Sequence, residues 1–259
     1  MPGGKKTLIH DIDRRKLWRW TLSIGLFFVL WEIVGRSGAI LSIVPPTEVI
    51  PALFTLMAEE DLLRAALGTL TIAALGFLIG AVVGVSVGVL MGVSRRWADV
   101  LDPIVSGSFA VPISMFIPVI AVYLGLGFKA KVVMVVLFNV FIIIVNTETG
   151  IREVPASIKE MARAFGTPSR DVYRRVILPW ASPYIITGLR IGVGRSVGGA
   201  ILADLLLRSQ NLGLVIRNAQ GSFQLAELLA AVFFITIVAA GTMAIARVIE
   251  WRLMRWTTL

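Results

Sequence analysis

From residue 65 to residue 93 the chain carries no charged side chain, and this run limits what the protein can be more than any other stretch. At a rise of about 1.5 Å per residue it is more than long enough to cross a hydrocarbon core of about 30 Å, even when tilted. Inside such a core every backbone N–H and C=O must be satisfied within the segment, so the run is expected to be a membrane-spanning helix. Gly76, Gly80, Gly84, Gly88 and Gly92 recur in it at a spacing of four. That period sets them along one face, a smooth stripe against which another helix backbone can pack in lipid, where hydrophobicity gives no drive to associate.

The rest of the chain reads the same way. Apolar residues make up 57% of it and come in long runs rather than amphipathic periods, which points to an all-α integral membrane protein. There is no cysteine and one histidine, His10 in a charged N-terminal stretch, so disulfides, thiolate metal sites and cysteine nucleophiles are excluded and no metal site is expected. The net charge of +9 flanks the apolar runs instead of forming a basic stripe interleaved with aromatics. It is the pattern of the positive-inside rule, and nucleic acid is not an expected partner.

Six spans follow, at about residues 18–34, 65–93, 103–124, 132–145, 180–207 and 225–249. Residues 1–17 are expected to form a cytoplasmic tail. Residues 18–259 then form a single transmembrane domain whose first helix is retained, because its apolar run is too long for a signal peptide. Residues 36–61 read as an outer loop with an interfacial helix at about 48–57. With both termini cytoplasmic, only Arg36, Arg64, Lys129, Lys131, Arg208 and Arg217 of the 25 cations fall outside, and Gly125 to Lys131 reads as a tight outer turn.

Two of these spans carry candidates for a translocation path. Pro112 and Pro118 interrupt the third, freeing backbone carbonyls that neighbours or water must satisfy, so that helix is expected to be bent or split beside a cavity. The fifth holds Arg190, Arg195 and Asp204 among the small residues Gly188, Gly192, Ser196 and Ala200. Charges at such depth seldom face lipid, so Arg195 and Asp204 are candidates to face the path. An arginine there suits an anion, and a carboxylate opposite it would equally form a structural pair.

Between the fourth and fifth spans residues 153–179 form a polar island, EVPASIKEMARAFGTPSRDVYRRVILP. Ser157 and Glu160 have capping-box spacing, which starts a short helix with Ile158, Met161, Ala162 and Phe165 available for one apolar face. Gly166 breaks it. Thr167 can cap a second helix opening on Pro168, and Pro179 closes the segment. The chain has no HExxH, G-x-S-x-G or P-loop motif and no carboxylate dyad within a span, so it is expected to move or dock something and not to be an enzyme.

Glu160-Met161-Ala162, then Gly166, then Val176-x-Leu178-Pro179 resembles, at gapless spacing, the EAA motif of permease subunits of ATP-binding-cassette importers. Met161 and Val176 are conservative departures from that pattern. Pro45-Pro46, Leu90-Met91-Gly92, Ser94-Arg95, Asp102-Pro103, Asn146-Thr147, Gly150-Ile151-Arg152, Gly188 to Gly192 and Leu212-Gly213-Leu214 are further similar to the nitrate, sulfonate and taurine permease family. The resemblance covers roughly residues 45–255.

It implies the MetI-like fold of type I importer permeases, with a cytoplasmic coupling helix, and a role as the membrane subunit of a binding-protein-dependent importer. The implied partners are ATPase subunits that bind ATP and Mg, a second permease copy forming a homodimer, membrane lipid, and a periplasmic or lipid-anchored solute-binding protein. No cofactor is implied for this chain itself. Glu160, Met161, Ala162, Phe165, Gly166, Leu178 and Pro179 would couple it to the ATPase in a bacterial or archaeal inner membrane. The cargo implied is a small anion of the sulfonate, nitrate or taurine type; a neutral heterocycle such as a pyrimidine precursor is the alternative. An ion-coupled secondary carrier is the reading from another class.

Overall fold

The computed structural model describes residues 14–38, 43–59, 61–207 and 211–254. Residues 1–13 of the expected tail lie outside that description, and residues 14–17 already belong to the first helix, α1 (Arg14–Ser37). Then come α2 (Pro46–Glu59), α3 (Leu62–Val93), α4 (Arg95–Ala110), α5 (Ile117–Leu124) and α6 (Phe128–Arg152). The chain continues through α7 (Ala156–Ala164), α8 (Ser169–Val172), α9 (Leu178–Leu206), α10 (Leu212–Gly221) and α11 (Leu225–Leu253). Among the described residues all regular structure is helical.

The centre is a three-helix packing of α3, α6 and α9. On α3 the glycine stripe lies along α6 in matched steps of four: Gly76 against Val135, Gly80 against Asn139, Gly84 against Ile143, Gly88 against Thr147 and Gly92 against Ile151. A Cβ at Gly84 would stand 2.8 Å from that of Ile143, and one at Gly88 2.6 Å from that of Thr147. The two backbones are therefore closer than any side chain on α3 would allow, with i±4 rows of both helices in register. Helix α9 repeats the device, since a Cβ at Gly188 would stand 2.7 Å from that of Asn146 and one at Gly192 2.9 Å from Ile143 Cδ1. Asn139 sits fully buried where the three meet; its side-chain amide donates to Val135 O at 2.7 Å, Ser196 Oγ at 2.9 Å and Gly76 O at 3.2 Å.

Four segments are long and apolar enough to cross a membrane singly: Leu62–Val93, Phe128–Arg152, Ser169–Leu206 and Leu225–Arg252. A fifth is a broken pair, Arg95–Ala110 with Ile113–Leu124, bent by 97°. These are the segments long and apolar enough among the described residues; the sixth expected span is α1, 24 residues long with Arg19 and Glu32 in its apolar run, and it is not among them. It joins the bundle through Trp31, which stacks on Phe233 at a centroid distance of 5.7 Å and donates its indole N–H to Val44 O at 3.0 Å.

The third span differs from its sequence reading in extent as well as shape. Ser94 is extended (φ −120°, ψ 113°), so α3 stops there and α4 starts at Arg95, eight residues before the expected entry at Pro103. Pro103 lies inside α4. The break falls at Val111, extended at φ −104°, because a residue preceding proline is pushed out of the helical region. A 3-10 turn (Ile113–Phe116) then leads into α5, where Pro118 occupies the first turn and its missing N–H breaks no helix bond. The two halves pack at opposite ends. Ala98 and Val105 of α4 meet Met91, Val140 and Ile144, whereas Ile117 and Ile120 of α5 meet Ala130, Met134, Ala203 and Leu207.

Candidate functional site

The elbow between α6 and α9 is built around Gly166. Its φ of +72° is a left-handed conformation that favours glycine, and the Thr167 N–H bonds back to Ala162 O at 3.2 Å, closing α7 in the manner of a Schellman cap. Helix α7 starts at Ala156, so Ser157 lies inside its first turn and does not precede it; Pro155 O accepts from the N–H groups of Ile158 (3.1 Å) and Lys159 (3.4 Å) instead. The expected single apolar face divides in two. Ile158 and Ala162, four apart, turn half-buried toward the bundle, and Ala162 packs on the cluster Ile151, Val154, Val172, Ile177 and Ala181. Met161 and Phe165, also four apart, face outward at 54% and 82% exposure, with Glu160 exposed beside them. An apolar pair held in the open on a rooted helix is suited to fill a pocket in another protein.

Pro179 does not close this segment. Pro168 stands before α8, and the chain passes through a π-helical turn (Tyr173–Ile177) into α9 without a break, giving one rod from Ser169 to Leu206. A proline ring clashes with the carbonyl four residues back in an α-helix, here that of Arg175. Widening to i→i−5 relieves this, as in the bond from Leu178 N–H to Tyr173 O. Leu178 and Pro179 are exposed at the root of the rod.

The three charges of α9 meet three fates. Asp204 is fully buried: its Oδ1 lies 3.1 Å from Lys131 Nζ and accepts from Asn211 Nδ2 at 3.4 Å, and its Oδ2 accepts from Thr69 Oγ1 at 2.6 Å. Both oxygens are thus occupied by groups of α3, α6 and the turn before α10. Lys131, expected in a tight outer turn, is buried because α6 begins at Phe128 and carries it inward. Arg190 lies 3.0 Å from Glu250 Oε2 of α11. Arg195 forms no ion pair or hydrogen bond among the described residues and is exposed. It does not meet Asp204, since nine residues at 100° each put the two on opposite faces of the helix.

Arg195 instead opens onto a cleft of about 330 Å³ at the break between α4 and α5, beside Ser108, Pro112 and Ser114. Pro118 is not among the residues lining it. The sequence reading missed Thr69, Lys131, Asn139 and Asn211. Asn139 was available to it, because it stands in the row Val135, Asn139, Ile143, Thr147, Ile151 that has the same period as the glycine stripe.

Comparison with known proteins fits this geometry. The protein SsuC of Bacillus subtilis (strain 168), named for aliphatic sulfonates transport, is 30% identical over 264 residues, covering 99% of this chain and 95% of its own. The taurine transport system permease protein TauC of Escherichia coli (strain K12) is 29% identical, covering 94% of each chain. The nitrate import permease protein NrtB of a Synechocystis strain is 27% identical over 92% of this chain and 89% of its own. Among solved structures, an inward-facing MetNI methionine ABC transporter superposes with a TM-score of 0.65 over 75% of this chain and 96% of that one, at 21% identity, which shows a shared fold. Residues 76–255, from the glycine stripe through the elbow to the end of α11, match one family over most of the chain, and the protein belongs to it: the inner membrane components of binding-protein-dependent transport systems.

Proposed function

We propose that this chain is the membrane subunit of an ATP-driven importer for a small anion of the sulfonate, taurine or nitrate type. The observation that carries this reading is the solvent-facing pair Met161 and Phe165 on the Gly166 elbow, in a chain of the binding-protein-dependent transport family. In this reading the elbow lies in the cytoplasm, as do both termini, and α7 is a coupling helix that docks into a separate ATPase subunit. That subunit binds the ATP and Mg; this chain binds neither. Two copies of the chain form the pathway, embedded in lipid, and a periplasmic or lipid-anchored protein delivers the solute. ATPase closure then moves α7, and through its packing on Ile151, Val172 and Ala181 it moves the ends of α6 and α9 as a rigid body. Glu160, Leu178 and Pro179 complete the docking surface around the elbow.

The names of the relatives support an anionic cargo, and Arg195 in the cleft of the broken span supplies a cation to meet it. An ion-coupled carrier needs titrating carboxylates open to a path, whereas Asp204 is enclosed by three donors. Uptake of radiolabelled taurine or an alkanesulfonate in cells carrying the whole system tests the reading. ATP depletion with the ion gradient held is expected to abolish uptake; persistent uptake contradicts it.

A further inference from the structure

The cleft at the broken span supports a narrower assignment, which rests on the importer reading above. Arg195 lies about 26 Å along the axis from the start of α9 and about 17 Å from its end, in the central part of the helix. A charge at such depth is costly to insert, and long side chains there ordinarily find partners or water. The other two charges of α9 have partners at 3.0 and 3.1 Å, and Arg195 has none among the described residues. Ser114 beside it likewise makes no side-chain hydrogen bond, whereas Ser108 Oγ donates to Val105 O at 2.6 Å and keeps only acceptor capacity free.

The remaining wall is apolar, with Phe109, Phe138, Phe141 and Leu202 among its side chains. A volume of about 330 Å³ suits a small molecule better than a bare ion. One cation, one free hydroxyl donor and an aromatic wall define the complement. The ligand carries a single negative charge at one end and an apolar body at the other. Nitrate would meet Arg195 yet leave the phenylalanines against its hydration shell. A dianion would bring in charge that nothing in the cleft balances.

We propose that this cleft is a specificity site for organic monoanions with an apolar body, the acid group resting on Arg195 and Ser114 and the body on Phe138 and Phe141. The probes are hexanesulfonate, methanesulfonate and nitrate, titrated calorimetrically into the permease–ATPase complex in nanodiscs. Hexanesulfonate is expected to bind about tenfold or more tighter than the other two, because its additional methylenes enter the apolar wall. Arg195→Gln should weaken hexanesulfonate binding by about tenfold or more, with Arg195→Lys recovering part of it, at unchanged melting temperature. Phe141→Ala should narrow the gap between hexanesulfonate and methanesulfonate and leave methanesulfonate itself unchanged, so this variant carries the test if Arg195→Gln fails to assemble. Equal affinities for hexanesulfonate and nitrate, no binding to the wild-type complex, or undiminished binding by Arg195→Gln would overturn the proposal. ATP-driven uptake in parallel separates the two levels: its presence with any of those results refutes the cleft assignment alone, and its absence for every solute refutes the importer reading.

Discussion

Asp204 shows how this chain tolerates a charge within its helices. Lys131, Thr69 and Asn211 come from separate parts of the sequence and together fill both carboxylate oxygens. Removing one partner of such a pair leaves the other buried and uncompensated. Asp204→Asn is therefore expected to destabilise the purified protein by about 3–5 kcal/mol, read as a lower melting temperature in detergent. The double variant Lys131→Met with Asp204→Asn should recover most of that loss, because the amide can still meet Thr69 and Asn211 and no charge is stranded. A double variant no more stable than the single one would show that the charge pair is not what matters. The nine-residue separation of Arg195 and Asp204 sets them on opposite faces, which rules out the shared path or pairing expected of them from the sequence. The role of Lys131 was not legible there, since it depends on α6 starting at Phe128 and on a partner in a distant helix. A buried pair between segments far apart in the chain leaves no local period to read.

At the scale of elements, the matched steps of four on α3 and α6 fix both the distance between the helices and their register. Gly84→Leu would drive a side chain into Ile143 Cβ with no room to shift, because Val140 O lies behind it at 3.1 Å from the added Cβ. A loss of at least about 3 kcal/mol is expected, seen as failed assembly or a lower melting temperature. Normal assembly and stability would mean that this face opens to lipid. The elbow depends on one backbone angle. Gly166→Pro forces φ from +72° to near −65°, so α7 should lose its orientation while the spans, packed elsewhere, still insert. Uptake should fall to background with basal ATPase activity retained; unchanged uptake would remove the elbow from the coupling account. Spans, stripe and elbow were all legible because each is a run or a period. Less legible were the points where a rule has two structural solutions. Pro179 could end a helix or be absorbed by a π turn, and the chain takes the second. The apolar positions of α7 could form one face or two, and only the packing of Ala162 on the bundle separates Met161 and Phe165 from it.

At the scale of the whole molecule the chain divides its work between two places. In the proposed reading the glycine-packed core of α3, α6 and α9 carries the displacement. The break between α4 and α5 opens a cleft along that core, and the elbow sits at the end from which force would arrive. Phe165 is the most exposed apolar group of the elbow, at 82%, and with α7 as a coupling helix it becomes an anchor in the ATPase subunit. Phe165→Ala should weaken association of that subunit by about 2 kcal/mol, a loss of about 30-fold, without lowering the melting temperature of the permease. The absence of cysteine from the chain permits a more direct measurement. A single cysteine introduced as Phe165→Cys, in native membranes containing the full transport system, would be treated with a short bifunctional maleimide–amine crosslinker. The expected result is one crosslinked species joining this chain to a P-loop ATPase, formed from the cytoplasmic side and lost when Gly166→Pro is added. Crosslinking to no ATPase, or labelling of Phe165→Cys from the opposite side of the membrane, would contradict the coupling role from which the rest of the account follows.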